Sequence, residues 1–162
     1  MKRIWLWLAL LAAAAALGLF SAQGTDAADL QPAQVLLVSA SGGTLRLTTD
    51  QGSTGFGKTL DEAMADLRAG ASGEVFFGTV EHVLVAQSAR YLIPQLAASK
   101  ELRPAARLYL APARPEADAA AQFLTAHPGA LTLQQARAAL LYGQSPVPPR
   151  LLQTEGGLRL AG

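Results

Sequence analysis

Residues 44–70 read TLRLTTDQGSTGFGKTLDEAMADLRAG, and the fold of the chain turns on how this stretch divides. In 44–49, Leu45 and Leu47 alternate with Arg46 and Thr48, the period of a strand with one wet face. Residues 50–57 (DQGSTGFG) are glycine-rich and read as a loop. Thr59 then offers an N-cap hydroxyl, and Thr59-Leu60-Asp61-Glu62 spells a capping box. Leu60, Ala63, Met64 and Leu67 recur at helical spacing, and Gly70 lies where a C-cap belongs.

The same stretch contains an apparent piece of chemistry. Residues 52–59, GSTGFGKT, match the phosphate-cradling pattern G-x-x-x-x-G-K-[ST]. Under that reading Gly52, Gly57, Lys58 and Thr59 bind a nucleotide: glycine N–H groups wrap the phosphates, the lysine reaches the outer ones, and the threonine hydroxyl holds magnesium. The surroundings argue otherwise. A phosphate-binding loop follows a buried parallel strand of near-continuous apolar residues, whereas the strand here alternates and ends in Thr48-Thr49-Asp50-Gln51. Asp61 and Glu62 in the first helical turn suit a dipole with no other anion and would meet a triphosphate with like charge. No apolar strand ends in an aspartate to support magnesium: 83–86 runs into Gln87 and 108–111 into Pro112. The octet therefore reads as a glycine-rich turn into a capped helix with no cofactor, and a P-loop enzyme is the alternative.

Working toward the N-terminus, Met1-Lys2-Arg3 precedes an uncharged apolar run over 4–20, and Ala22 and Gly24 suit cleavage after Gly24. The run, about 17 residues, is long for a signal peptide and at the short limit for a membrane span. Residues 1–24 are thus a cleaved signal or a retained anchor helix. Either way the positive end stays inside and the rest of the chain is exported. Two of the 13 basic residues are Lys2 and Arg3, so the exported part is nearly neutral against its 12 acidic residues. Nothing in it suggests a nucleic-acid patch or a polybasic membrane segment. The absence of cysteine excludes disulfides, thiolate catalysis, cysteine zinc sites and lipidation at a signal-peptide cysteine.

Residues 25–32 read as a tether and 33–39 as a buried strand, joined to 44–49 by a hairpin turn at Ser41-Gly42-Gly43. Residues 74–86 are β-rich, with 75–77 closing one element and 80–85 a central strand. A helix is expected over 87–99, facing inward through Leu92, Ile93, Leu96 and Ala97, and kinked by Pro94 unless that proline falls in its first turn. Then come a strand at 107–111, a helix over 115–126, and a second capping box at Thr132-Leu133-Gln134-Gln135 opening a helix to Leu141. The three prolines of 143–150 make a linker, and 151–162 an orphan hairpin about Gly156-Gly157, the start of a missing second domain, poorly packed without a partner. The fold class is α/β (α+β): one small domain over 33–142, with a mixed sheet and about four helices.

The remaining chemical residues are sparse. His82 lies in an apolar strand and His127 at a helix C-terminus, in different elements and with no partner ligand, so neither suggests a metal site. Ser41 and Ser72 lie beside glycines without the G-x-S-x-G elbow. Arg103, Arg107 and Arg114 read as a solvated basic face. No catalytic residue and no metal ligand is assigned.

Over Val35 to Gly129 the chain resembles the N-terminal domain of the spore germination receptor C-subunit family, Ger(x)C. The motifs that carry this are collinear: Gly57-Lys58-Thr59-Leu60-Asp61-Glu62-Ala63 at a helix start, Val75-Phe76-Phe77-Gly78 followed by Val83-Leu84-Val85-Ala86, and Pro104-Ala105-Ala106-Arg107 entering Leu108-Tyr109-Leu110-Ala111. The chain departs from the family in lacking a lipobox cysteine, in having Thr79 near the place of a frequent histidine, and in stopping where family members continue. The resemblance implies a non-enzymatic exported protein at the outer face of the spore inner membrane. It would be membrane-associated through its N-terminal segment and would assemble with membrane-spanning germinant receptor subunits during germination. A generic extracytoplasmic binding or scaffold domain is the third reading.

Overall fold

A computed structural model describes residues 30–112 and 115–161. The expected signal or anchor at 1–24, most of the tether and Arg114 lie outside the described residues.

The chain begins with strand β1 (Leu30–Pro32), then forms β2 (Val35–Ser41) and β3 (Thr44–Thr49). Gly42 and Gly43 connect β2 to β3 with φ of 58° and 79°, the backbone of a two-residue hairpin turn that side chains disfavour. Strand β4 (Thr54–Gly57) and helix α1 (Leu60–Gly70) follow. After β5 (Glu74–Phe76) and a 3-10 turn come β6 (His82–Ala86), a 3-10 segment (Gln87–Leu92) and α2 (Ile93–Ala98). The rest comprises β7 (Arg107–Ala111), α3 (Ala117–Ala126), α4 (Leu133–Leu141) and the hairpin β8 (Arg150–Thr154) and β9 (Gly157–Ala161).

Seven strands form one mixed sheet in the order β4-β3-β2-β6-β7-β8-β9. Strands β2, β6, β7 and β8 run parallel, while β3, β4 and β9 pair antiparallel with the strand before them. The sheet is buried on both faces at its centre, which is why β2, β6 and β7 read as near-continuous apolar runs. Leu36, Val38, Val83, Val85, Leu108 and Leu110 pack toward α1, α2 and α4. Val35, Leu37, Leu84, Tyr109 and Ala111 face Ala120, Ala121 and Leu124 of α3. Among the described residues the result is a three-layer α+β domain with four helices.

Four expectations need correction. Residues 54–57 are not loop but an edge strand, pairing Leu45 with Gly57 and Leu47 with Gly55. Residues 30–32 of the tether form β1, which pairs in parallel with β5 in a separate two-stranded sheet. The single helix over 87–99 is a 3-10 segment followed by α2, whose first turn accommodates Pro94, since a ring there removes no intrahelical hydrogen bond. The terminal hairpin is no orphan. Arg150 pairs with Leu110, the Leu110 N–H donates to the Pro149 carbonyl at 2.9 Å, and Leu151 is buried in the α3-side core with Leu158 and Leu160 packed against it. A parallel neighbour far away in sequence supplies the sheet this hairpin needs.

Candidate functional site

The octet lies at the sheet edge, where β4 meets α1. Gly52 has φ of 83° and turns the chain out of β3, its N–H donating to the Thr49 carbonyl at 3.0 Å. Gly55 and Gly57 have a different task. A Cβ at Gly55 would lie 2.4 Å from the Ala63 carbonyl oxygen and from the Leu67 nitrogen. One at Gly57 would lie 2.4 Å from the Ala63 nitrogen. The helix backbone sits almost directly on the strand, and only glycine leaves room for it.

Two backbone donors and the threonine hydroxyl of the octet are already engaged. The Phe56 N–H donates to Asp66 Oδ2 at 2.7 Å, and the Lys58 N–H donates to Glu62 Oε2 at 2.8 Å. Thr59 Oγ1 accepts from the Glu62 N–H at 3.2 Å. The expected capping box is therefore half formed: Thr59 caps, but the Glu62 carboxylate reaches the Lys58 N–H instead of the Thr59 N–H. A phosphate at this turn would have to displace two carboxylates from N–H donors while remaining beside their charge. Gly52 and the Gly57-Lys58-Thr59 end of the octet are thus held at opposite ends of the extended strand β4, and the backbone N–H groups of Phe56 and Lys58 serve helix α1.

A second polar cluster lies inside the sheet. His82 on β6 and Tyr109 on β7 are 1% and 0% exposed, and His82 Nδ1 is 3.3 Å from the Tyr109 hydroxyl. That hydroxyl accepts the Gly129 N–H at 2.9 Å, tying the loop after α3 to the sheet. The hydroxyl and Nδ1 share a hydrogen bond whose direction follows the imidazole tautomer. Nε2 is buried without a partner. Burial pushes the His82 pKa down from its ordinary value; Glu81 opposes this and Arg107 adds to it. Burial pushes Tyr109 up, against the Gly129 N–H and Arg107. A tyrosine within an apolar strand is a signal that a buried partner must exist, because its hydroxyl cannot be left unpaired.

The other candidates are separated. Nδ1 of His127 lies 3.2 Å from the Phe123 carbonyl, so the imidazole caps the end of α3. Arg103 pairs with Glu81 at 3.5 Å, and Arg107 starts β7. Among the described residues, no three histidine, aspartate or glutamate side chains converge as a metal site would require. A groove of about 430 Å³ runs from Thr59, Leu60 and Asp61 to the segment after α2, where Lys100 and Glu101 give it mixed charge. Another, of about 500 Å³, lies between α3 and the terminal hairpin, with Phe123 and Leu158 as its apolar walls.

Comparison with protein-family models, with curated proteins and with solved structures finds no match to this chain.

Proposed function

We propose that the chain is a non-enzymatic, exported, membrane-associated protein that acts by protein–protein assembly, in the manner of the C-subunits of nutrient germinant receptors that its motifs resemble. One observation supports this above all: N–H donors of the one chemical motif in the chain are bonded to carboxylates of the chain's own helix, Phe56 to Asp66 and Lys58 to Glu62. On this reading Gly57-Lys58-Thr59 is architecture. Residues 4–20 associate the protein with the membrane, and the domain meets membrane-spanning receptor subunits on its outer side. The contact surfaces are residues 50–57 and the hairpin at 150–161. Co-purification of the membrane-extracted protein with a polytopic receptor subunit is the expected result. Absence of such a partner, together with unchanged germination after deletion of the gene, removes the proposal.

The octet's letters keep a nucleotide-binding enzyme as the second reading. It requires heat on titration with Mg-ATP that Lys58→Ala abolishes. A third reading, a generic extracytoplasmic scaffold, differs from the first in its gene neighbourhood, where receptor genes would be absent.

A further inference from the structure

The two edges of the seven-stranded sheet are finished differently. On β4 the residues whose backbone points away from β3 are Thr54, Phe56 and, just beyond the strand, Lys58. The N–H groups of Phe56 and Lys58 are taken by α1 carboxylates, so this edge offers those two donors to no incoming strand. The opposite edge is β9. Its hairpin turns through Glu155 and Gly156, with Thr154 opposite Gly157. In a two-residue hairpin that flanking pair exchanges ladder hydrogen bonds, and the pattern alternates along the strands. Gly157, Arg159 and Ala161 therefore bond inward to β8, and the N–H and C=O groups of Leu158 and Leu160 point outward. No described residue bonds to that outward side.

Side chains on this edge have a clear pattern. Leu158 and Leu160 lie on the α3 side, beside the groove walled by Phe123. Arg159 and Arg150 lie on the other side as diagonal neighbours, with Leu152 opposite Arg159. Both arginines are exposed, and among the described residues neither has an ion-pair partner. A second copy of β9 would bring another arginine-bearing strand against this pair.

We infer that β9 is a strand-addition site for an extended segment of a partner protein, with acidic side chains alternating with apolar ones. The incoming backbone pairs with Leu158 and Leu160, its carboxylates meet Arg159 and Arg150, and its apolar side chains extend the α3-side core over Leu158 toward Phe123. The inference rests on the assembly reading above and specifies which edge does the assembling.

The test uses the full chain in detergent and a synthetic peptide of about ten residues, the length of a long strand, alternating valine and glutamate. Amide hydrogen exchange at Leu158 and Leu160 is expected to slow about tenfold on saturation, equivalent to roughly 1.4 kcal/mol, with Phe56 unaffected. Leu160→Pro deletes one outward donor while leaving the inward N–H groups of Arg159 and Ala161 in place, and should abolish the protection at Leu158. Arg159→Glu, a change at an exposed position, should transfer the preference to a valine–lysine peptide. Three results overturn the inference: no slowing in the wild-type chain, equal slowing in Leu160→Pro, or protection that grows with protein concentration without peptide, which would make the occupant a second copy. Co-purification of a receptor subunit reports on the assembly reading separately, and it can succeed with Leu160→Pro even where the strand-addition site fails.

Discussion

Asp66 Oδ2 accepts the Phe56 N–H at 2.7 Å, across the line where an eighth strand would otherwise pair. A carboxylate of α1 thus blocks part of one edge of the sheet. Glu62, one helical turn earlier, does the same for Lys58. The pair uses the i, i+4 face of α1 to complete the hydrogen bonding of a strand that has no outer neighbour.

Removing both carboxylates should reopen that edge. Asp66→Ala with Glu62→Ala is expected to lower stability by about 1–2 kcal/mol through lost charge-assisted hydrogen bonds. It should also produce concentration-dependent self-association in analytical ultracentrifugation. A double variant that stays monomeric at high concentration would show that the edge is protected by something else.

The glycines and the lysine of the octet should behave in opposite ways. Gly55→Ala puts a methyl group into the backbone of α1, at 2.4 Å from two atoms, and should cost about 3 kcal/mol, as overpacking does when rigid neighbours cannot move. Thr59→Ala should cost about 1 kcal/mol through loss of the cap. Lys58→Ala, whose backbone and not side chain makes the contact with Glu62, should leave the denaturation midpoint nearly unchanged. A large loss at Lys58 with little at Gly55 would show that the lysine side chain, and not the close glycine contact with α1, holds this corner of the fold.

Stability should fall on acidification through the histidine range. The His82 pKa is lowered in the folded state, so the unfolded chain binds the proton first. The contribution of neutral His82 is full above its unfolded pKa of about 6.5 and is lost progressively as pH falls from there toward the folded value. Urea denaturation at steps between pH 7.5 and 5 should show this slope (pH values being roughly one unit either side of that pKa). His82→Gln should flatten it; an unchanged slope would assign the effect to other groups.

Tyr109→Phe should cost about 1–3 kcal/mol, because it leaves both the Gly129 N–H and His82 Nδ1 without a buried partner. Faster hydrogen exchange at Gly129 is the local signature. The Tyr109 pKa is raised, so the wild-type hydroxyl also resists ionisation, and stability should be lost only as pH climbs past its unfolded value of about 10.

The terminal hairpin depends on one anchor. Leu151 is 2% exposed in the α3-side core, and Leu151→Ala should cost about 2–4 kcal/mol, the usual loss for a buried leucine. If the hairpin were detached from the sheet, this substitution would leave the melting temperature where it was.

Much of the local structure was legible in the residues. The alternation of 44–49, the apolar run of β7, and the Thr59 and Thr132 hydroxyls located β3, β7 and the starts of α1 and α4 within a residue or two. Those signals are short-range, each set by contacts within one turn or one strand. The errors arose where long-range pairing prevailed. Gly55 and Gly57 look like loop residues because glycine weakens a strand, yet here they permit contact with α1. The hairpin at 150–161 looked detached because its partner, β7, lies on the far side of α3 and α4 in the chain. The candidate site followed the same rule. The octet could be matched letter by letter, but Asp66 could not be connected to Phe56 without knowing that α1 folds back over β4.

The sequence by itself determined most of the helices and strands, the capping hydroxyls and the apolar surfaces that must meet, because these depend on periodicity and on backbone groups a few residues apart. Tertiary structure alone decided which edge of the sheet is partly blocked and which is open, and whether GSTGFGKT presents its N–H groups to a ligand or to its own helix. Those outcomes depend on which atoms lie within 3 Å of one another across the fold, and no spacing along the chain records that distance.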